Sequence, residues 1–244
     1  MRFFASLFIT LAFLCSADAE EQTRILFIGN SYTGQIRGTV AKLFAASPEG
    51  KKVTLEFITP GGKTLEFHLN NSSTVEKITD GDWDFVVLQD QSQTPAVFPD
   101  KFRDAARDLD NIIDKSGGMT VFYQTWGRRD GDKMNRDRFP TYKKMQKALS
   151  DSYSSAAKRG KALLAPVGDT WSEVREADEN LGVALYKRDG SHPTSKGAYL
   201  AACVFYATLF KKSPRSVPFR GDLSESEAEI ILEAVEETLR VGPR

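Results

Sequence analysis

Cysteine and histidine are scarce in this chain of 244 residues, which has two of each. Cys15 falls in the apolar N-terminal segment, so the remainder keeps only Cys203 and forms no internal disulfide. We expect Cys203 to be a small buried residue. His68 lies in a predicted helix, on a face expected to be partly exposed, and lacks a second ligand nearby in sequence, so it is a poor metal candidate. Only His192 is placed to act as a general base.

An excess of charge of one sign is also missing, because 33 basic and 33 acidic residues cancel. This balance gives no indication of nucleic acid or an anionic membrane surface as a partner. The sequence shows no heptads, no internal repeat and no low-complexity tract. We therefore predict one sizeable domain over residues 20–244.

One long apolar run is present, at residues 3–14, and it follows Arg2. The run is too short to span a membrane and ends in polar and small residues, so residues 1–19 are predicted to be a signal peptide cleaved after Ala19. Cys15 lacks the small residue that usually precedes a lipidated cysteine. We expect a secreted or periplasmic protein without stable membrane insertion, and the oligomeric state is left open.

Five short apolar segments alternate with segments of helical spacing. They lack strict polar alternation, which is typical of strands buried on both faces. Strands separated by helices predict an α/β fold with a doubly wound, mainly parallel sheet. The predicted strands are 24–29, 53–59, 83–89, 119–125 and 162–167, and the predicted helices are 37–46, 64–78, 100–115, 142–159, 195–211 and 224–239.

Polar or glycine-rich loops follow four of the predicted strands. Because ligands of parallel sheets bind at the carboxyl ends of the strands, these loops are expected to meet at one edge of the sheet. They contain Ser31, residues 61–62, residues 90–92 and residues 126–128.

Ser31 follows the first strand and precedes a helix. At this position a nucleophile gains from the amides of the helix N-terminus, which favour a developing oxyanion. The alternative is that Ser31 or Asn30 only caps the helix. Thr33 stands where the second glycine of a GxSxG motif belongs, so the nucleophile elbow of the α/β-hydrolases is absent. Phosphate-loop and dinucleotide-binding glycine patterns are absent as well.

Asp189 and His192 lie three residues apart, just before an apolar helix. Asp189 can accept a hydrogen bond from one imidazole nitrogen while the other nitrogen faces a serine. The segment DGSHP is also turn-rich, so an ordinary surface turn is the alternative. Taken with Ser31, the pair favours a Ser-His-Asp hydrolase.

The loop after the fourth strand contains Trp126 and Arg128. Trp126 is a candidate for stacking on a sugar ring, and Arg128 for binding a hydroxyl or a carboxylate. The alternative is a tryptophan packed on the sheet edge and a solvated basic loop. We expect Trp171 to be a core or helix-start residue without a role in the site.

Four blocks of the sequence resemble those of the SGNH hydrolases, the GDSL-like esterase family. They are FIGNSYT, TPGGKT, VVLQDQSQTP and DGSHPT, and the first has Asn30 where the family often has aspartate. The resemblance implies a three-layer α/β/α sandwich of flavodoxin type, no metal or other cofactor, and hydrolysis of an ester through an acyl-enzyme. It places the nucleophile at Ser31 and the rest of the triad at Asp189 and His192.

The resemblance also assigns the oxyanion hole to Ser31, Gly62 and Gln91. Gly62 matches the glycine whose backbone N–H lines the hole, and Gln91 stands in place of the family's asparagine. Glutamine carries the same amide on one more methylene, so the role is chemically available with a shifted geometry. Gln89 and Ser92 are rival donors.

These observations favour a secreted serine esterase acting on small acyl esters, with acetyl esters of carbohydrate as one candidate class. A lipase, lysophospholipase or thioesterase is the second interpretation, although the polar loops offer no long apolar channel. The third is a catalytically silent domain that binds carbohydrate. The expected partner is thus a small-molecule or carbohydrate ester.

Overall fold

The five segments predicted as strands form one parallel sheet in the computed structural model, which describes residues 22–241. The order is β2-β1-β3-β4-β5, and every neighbouring pair is parallel. The predicted signal peptide at residues 1–19 lies outside the described residues. The strands are β1 Thr23–Ile28, β2 Val53–Ile58, β3 Phe85–Leu88, β4 Met119–Tyr123 and β5 Leu163–Ala165.

Helices cover both faces of this sheet and complete a three-layer sandwich, so the predicted fold class is confirmed. None of the helices in residues 22–241 has the length and apolar character needed to cross a bilayer. The helices described are α1 Ser31–Ala46, α2 Leu65–Leu69, α3 Ser72–Thr79, α4 Thr94–Val97, α5 Pro99–Lys115, α6 Tyr142–Gly160, α7 Val167–Ala177, α8 Glu179–Ala184, α9 Ser195–Phe210 and α10 Glu225–Leu239.

The strands are apolar throughout because each face of the sheet has its own core. Successive side chains of a strand point to opposite faces. Ile25 and Phe27 therefore join the cluster beneath α1, α7, α9 and α10, whereas Leu26 and Ile28 join the cluster beneath α2, α5 and α6. All four side chains are fully buried.

Helix α9 is the central element of the first cluster. Its residues from Gly197 to Leu209 are all buried, because it packs against α1, α7, α10 and the sheet. Cys203 lies on this helix, fully buried and free, as predicted. The helix that follows, α10, begins with a capping box between Ser224 and Glu227.

The prediction of a single helix over 64–78 is wrong, because the chain forms two helices, α2 and α3, with a break between them. Asn71 causes the break: its side-chain Oδ1 accepts a hydrogen bond from the Thr74 N–H at 2.9 Å and caps α3. Helices α7 and α8 were not predicted. The strand expected up to residue 167 ends earlier, and α7 begins directly after Pro166.

Two glycines on facing helices offer a matched test of this packing. A methyl group on Gly197 would lie 2.5 Å from the Trp171 ring and 2.6 Å from the Leu185 carbonyl oxygen, whereas one on Gly38 would meet nothing within 4 Å. We expect Gly197→Ala to lower the free energy of unfolding by about 1–3 kcal/mol. Gly38→Ala should raise it by about 0.5–1 kcal/mol. Urea unfolding measures both, and equal midpoints would contradict the packing described.

Candidate active site

Ser31 is the first residue of α1 and lies at the carboxyl end of β1. Asn30 caps the helix through its side-chain Oδ1, which accepts a hydrogen bond from the Tyr32 N–H at 3.2 Å. The capping role therefore belongs to Asn30, and the hydroxyl of Ser31 is left to other contacts.

His192 and Asp189 form a continuous line of hydrogen bonds with Ser31. Ser31 Oγ lies 2.9 Å from His192 Nε2, and His192 Nδ1 lies 2.7 Å from Asp189 Oδ2. A carboxylate only accepts, so Nδ1 carries the proton and Nε2 is the acceptor for the serine hydroxyl. The fold thus joins three residues that the sequence separates, in the order that serine activation requires.

Asp189 is held in place by the backbone of its own turn. Its Oδ1 accepts hydrogen bonds from the N–H groups of Ser191 at 2.9 Å and His192 at 3.0 Å. Burial alone would raise the pKa of Asp189, but the hydrogen bonds from the His192 ring and from these N–H groups lower it below the usual range. Gly190 permits the turn with a φ of +67°. The carboxylate is therefore ionised at neutral pH.

A column of stacked rings supports the loop that contains His192. The ring of Tyr32 lies edge-on to His192, and its hydroxyl is 2.6 Å from Ser191 Oγ. Trp126 stacks on Tyr32 with 4.9 Å between ring centroids, and Trp171 stacks on Trp126 at 4.0 Å. Tyr32 was not predicted to belong to the site, although its position directly after Ser31 indicates that it lies nearby.

Trp126 is fully buried, so the hypothesis that it stacks on a sugar ring is wrong. Both of its faces are already covered by Tyr32 and Trp171, and its Nε1 donates a hydrogen bond to the Ser191 carbonyl oxygen at 2.9 Å. The alternative interpretation, a tryptophan packed at the sheet edge, describes its place. Trp171 is in the core, as expected.

Arg128 remains at the rim of the site and is half-buried. Its Nη2 donates a hydrogen bond to Ser92 Oγ at 3.1 Å. Together with Asp189 and Gly190 it lines a small cavity of about 90 Å³. Contact between Arg128 and a substrate stays a prediction, and the position is compatible with it.

Two backbone N–H groups near Ser31 are candidates for the oxyanion hole. Gly62 is exposed with a φ of +69°, and its loop is fixed to the nucleophile turn because Asn30 Nδ2 donates to the Lys63 carbonyl oxygen at 2.8 Å. Within the described part of the chain, no group accepts a hydrogen bond from the N–H of Ser31 or Gly62. Both are free to donate to a ligand.

The side chain of Gln91, predicted as the third donor, is folded onto its own loop. Its Oε1 accepts from the Gln93 N–H at 2.7 Å, and its Nε2 makes only a long contact of 3.4 Å to Gln93 Oε1. Its assignment to the oxyanion hole stays a prediction, which requires the Nε2 group to exchange that long contact for the substrate oxygen. The rival donor Ser92 is held by Arg128.

The other rival, Gln89, is fully buried and occupied by the nucleophile turn. Its Oε1 accepts from the Asn30 N–H at 2.9 Å and from Thr33 Oγ1 at 2.8 Å, and its Nε2 donates to Asn30 Oδ1 at 3.1 Å. A second bond of Nε2, to the Asp90 carbonyl oxygen, takes its other proton. Gln89 therefore positions the turn of Ser31 and has no N–H left for an oxyanion.

His68 is fully buried beneath this turn, so the expectation of a partly exposed position is wrong. Its Nε2 lies 2.9 Å from the Gly29 carbonyl oxygen, which can only accept, so Nε2 is the protonated nitrogen. Burial lowers the pKa of His68, although the bond to Gly29 acts in the opposite direction. His68 is a neutral support of the turn. Within residues 22–241, no three His, Cys, Asp or Glu side chains are grouped to hold a metal ion.

Asp90 is a buried carboxyl group that joins the second and third blocks. Its Oδ1 accepts hydrogen bonds from the Leu65 N–H at 3.1 Å and the Gln91 N–H at 2.6 Å. Burial raises the pKa of Asp90 to about 7, against the lowering effect of these two bonds, and the charge of Glu66 raises it further.

This raised pKa predicts a stability change with pH. Between the ordinary aspartate value of 3.8 and about 7, the folded protein keeps a proton on Asp90 that the unfolded chain has lost. The stability due to this group is present at low pH and is lost as pH rises through that window, by about 1.4 kcal/mol per pKa unit. We expect Asp90→Asn, which keeps the acceptor oxygen, to show a smaller loss of stability between pH 4 and pH 7 than wild type in urea unfolding.

Asp137→Asn, at an exposed site, serves as the control and should follow the wild-type curve. Parallel pH dependence in wild type and Asp90→Asn would contradict the burial of an uncharged Asp90.

Several solved structures are similar to this protein in fold. A DUF4886 family protein from Bacteroides uniformis superposes with a TM-score of 0.74 at 18% identity, over 90% of this chain and 95% of that one. A candidate SGNH hydrolase from Slackia heliotrinireducens has a TM-score of 0.66 at 28% identity, over 78% of this chain and 100% of that one. A variant of an acetyl-xylooligosaccharide esterase from Geobacillus has a TM-score of 0.60 at 15% identity, over 84% and 98% of the two chains.

Comparison with curated proteins gives no match. At the level of families, residues 68–237 match the family described as a domain of unknown function, DUF4886. The family match covers more than half of this chain, and the solved structures have the same fold as this protein. The resemblance to the SGNH hydrolases is therefore confirmed, and this chain belongs to the DUF4886 family.

Proposed function

We propose that this protein is a serine esterase that hydrolyses small acyl esters through an acyl-enzyme. The observation that carries the proposal is the line of hydrogen bonds from Ser31 Oγ to His192 Nε2 at 2.9 Å and from His192 Nδ1 to Asp189 at 2.7 Å. A silent binding domain has no need of this alignment, which makes the catalytic interpretation the stronger one. The signal-peptide pattern supports action outside the cytoplasm.

The proposed reaction begins when Ser31 Oγ attacks the acyl carbon and His192 Nε2 takes the hydroxyl proton. The oxyanion of the tetrahedral intermediate receives hydrogen bonds from the N–H groups of Ser31 and Gly62, and its charge is favoured by the N-terminus of α1. The intermediate collapses, the bond to the alcohol oxygen breaks, and that oxygen takes the proton from His192. Water then attacks the acyl carbon while His192 Nε2 takes its proton. The bond from the acyl carbon to Ser31 Oγ breaks, Oγ receives that proton from His192, and the carboxylic acid leaves.

The surroundings of the triad favour a short acyl group. The cavity beside Asp189 measures about 90 Å³, and its lining includes Arg128, Asp132 and Lys133. Charged side chains of this kind are a poor environment for a long hydrocarbon chain. This argues against the lipase and thioesterase alternatives and supports acetyl or similarly small esters. The fold shared with an acetyl-xylooligosaccharide esterase supports carbohydrate as the alcohol.

The central test is Ser31→Ala, assayed with p-nitrophenyl acetate. We expect kcat to fall by about 10³–10⁶, because the variant loses the nucleophile and keeps only the binding and oxyanion groups. A fluorophosphonate probe should label the wild type and leave the variant unlabelled. Wild-type-like turnover by a folded Ser31→Ala protein would refute the proposal.

The third oxyanion donor can be tested with Gln91→Glu. Glutamate keeps the Oε1 acceptor for the Gln93 N–H and removes the N–H that would reach the oxyanion. We expect kcat to fall by about 10²–10³ with little change in KM, because the interaction strengthens in the transition state. Ser92→Ala is the comparison variant. Full kcat in Gln91→Glu together with a loss in Ser92→Ala would assign the donor to Ser92.

A further inference from the structure

A large groove lies beside the loop of Asp189 and has no part in the chemistry described above. Its volume is about 620 Å³, which is in the range of small-molecule binding sites, and it runs between the loop after β4 and helices α7 and α8. The polar side chains of its lining include Arg129, Asp130, Thr141, Ser172, Arg175 and Glu179.

The groove adjoins the rim of the triad. The Arg129 N–H donates a hydrogen bond to the Gly190 carbonyl oxygen at 2.9 Å, so the groove wall is attached to the residue after Asp189. Asp130 lines both this groove and the small cavity that Asp189 lines. A substrate held at Ser31 therefore has the groove on the side of His192 and Asp189, where the alcohol receives its proton.

The charges of the groove are largely paired. Arg129 Nη2 lies 2.8 Å from Asp130, and Lys143 Nζ lies 3.3 Å from Glu176. Three acidic and three basic side chains line the groove in total, so it has no net charge to attract an anion. Pro140 and Tyr142 add apolar surface to the lining. The groove therefore suits a neutral ligand with both polar and apolar groups better than an anion or a hydrocarbon chain.

Arg175 is the most specific feature of the groove. Its guanidinium lies 4.1 Å from the centre of the Tyr142 ring and 5.5 Å from that of Tyr186, and these contacts fix its plane. Its Nη2 makes only a long hydrogen bond of 3.5 Å to the Arg129 carbonyl oxygen and so has donor capacity to spare, while Nη1 is buried and, among the described residues, has no hydrogen-bond partner. The exposed carboxylate of Glu179 faces the same groove. A fixed donor and a carboxylate acceptor together suit neighbouring hydroxyl groups, which accept from one and donate to the other.

We propose that this groove binds the hydroxylated alcohol portion of the ester, an oligosaccharide, with Arg175 and Glu179 contacting its hydroxyl groups. The assignment of the bound alcohol as a leaving group rests on the proposed esterase function. In that arrangement the acyl carbon lies at Ser31, and the sugar chain extends past Asp130 into the groove.

The first experiment measures binding, with deacetylated xylo-oligosaccharides as the probe and calorimetry on the Ser31→Ala protein. We expect binding that weakens about tenfold in Arg175→Lys, which keeps the charge and loses the planar fork, and in Glu179→Gln, which loses the charged acceptor. Arg107→Lys, an exposed arginine on α5 across the sheet, is the matched control and should bind as the parent does. Absence of binding by the parent protein overturns the inference, whether or not the enzyme cleaves esters.

The second experiment compares kcat/KM for acetylated xylo-oligosaccharides with that for p-nitrophenyl acetate, which has no sugar chain. The ratio should fall about tenfold in Arg175→Lys and Glu179→Gln, through KM, and stay at the wild-type value in Arg107→Lys. An unchanged ratio in both groove variants refutes the groove as the subsite of the alcohol. A protein that binds the oligosaccharide but cleaves no ester and takes no fluorophosphonate label refutes the esterase function and, with it, the leaving-group role.

Discussion

The arrangement of Ser31, His192 and Asp189 depends on the stacking of three aromatic rings, because the sheet fixes the serine but not the histidine. Ser31 lies at the end of a central strand, where the sheet fixes it. His192 lies on a loop between α8 and α9 and has no strand of its own. The column of Tyr32, Trp126 and Trp171 begins at the residue after Ser31, and the hydrogen bonds of Tyr32 and Trp126 fix Ser191, the residue before His192. Stacked aromatic pairs of this kind contribute about 0.5–1.5 kcal/mol each beyond their burial.

The first departure from the motifs of the SGNH hydrolases, asparagine at position 30, has a physical basis in the structure. Asparagine at position 30 donates to the Lys63 carbonyl oxygen, which an aspartate cannot do, and so attaches the loop of Gly62 to the nucleophile turn. Its side-chain oxygen accepts from Gln89, whose own oxygen returns a bond from the Asn30 backbone. The two amides thus complement each other across β1 and β3. Asn30 and Gln89 thus attach the first block to the third, whereas Gln91, which stands in place of the family's asparagine, is bonded to Gln93.

The sheet and the proximity of Ser31, His192 and Asp189 were predictable from the sequence, whereas the supports of the site were not. Strands such as β1 and β3 are apolar on both faces, and that pattern indicates burial without further information. Ser31, Asp189 and His192 are recognisable because their residue types and spacing match a known chemistry. The burial of Trp126 and His68 depends on neighbours that are distant in sequence, namely Tyr32 and Trp171 for the former and Gly29 for the latter. Local patterns carry no information about such neighbours, and the break at Asn71 shows that a single side-chain cap can override helical spacing.

The separation of Ser31 and His192 has a consequence for how the protein becomes active. The two residues are 161 positions apart, and the base stands just before α9, the buried helix that packs on α1. The part of the chain that is synthesised before α9 contains all five strands, and His192 is among its last residues. The candidate site is complete only when this loop is in place beside Ser31. On the proposed esterase function, a product truncated before His192 would carry an inert serine.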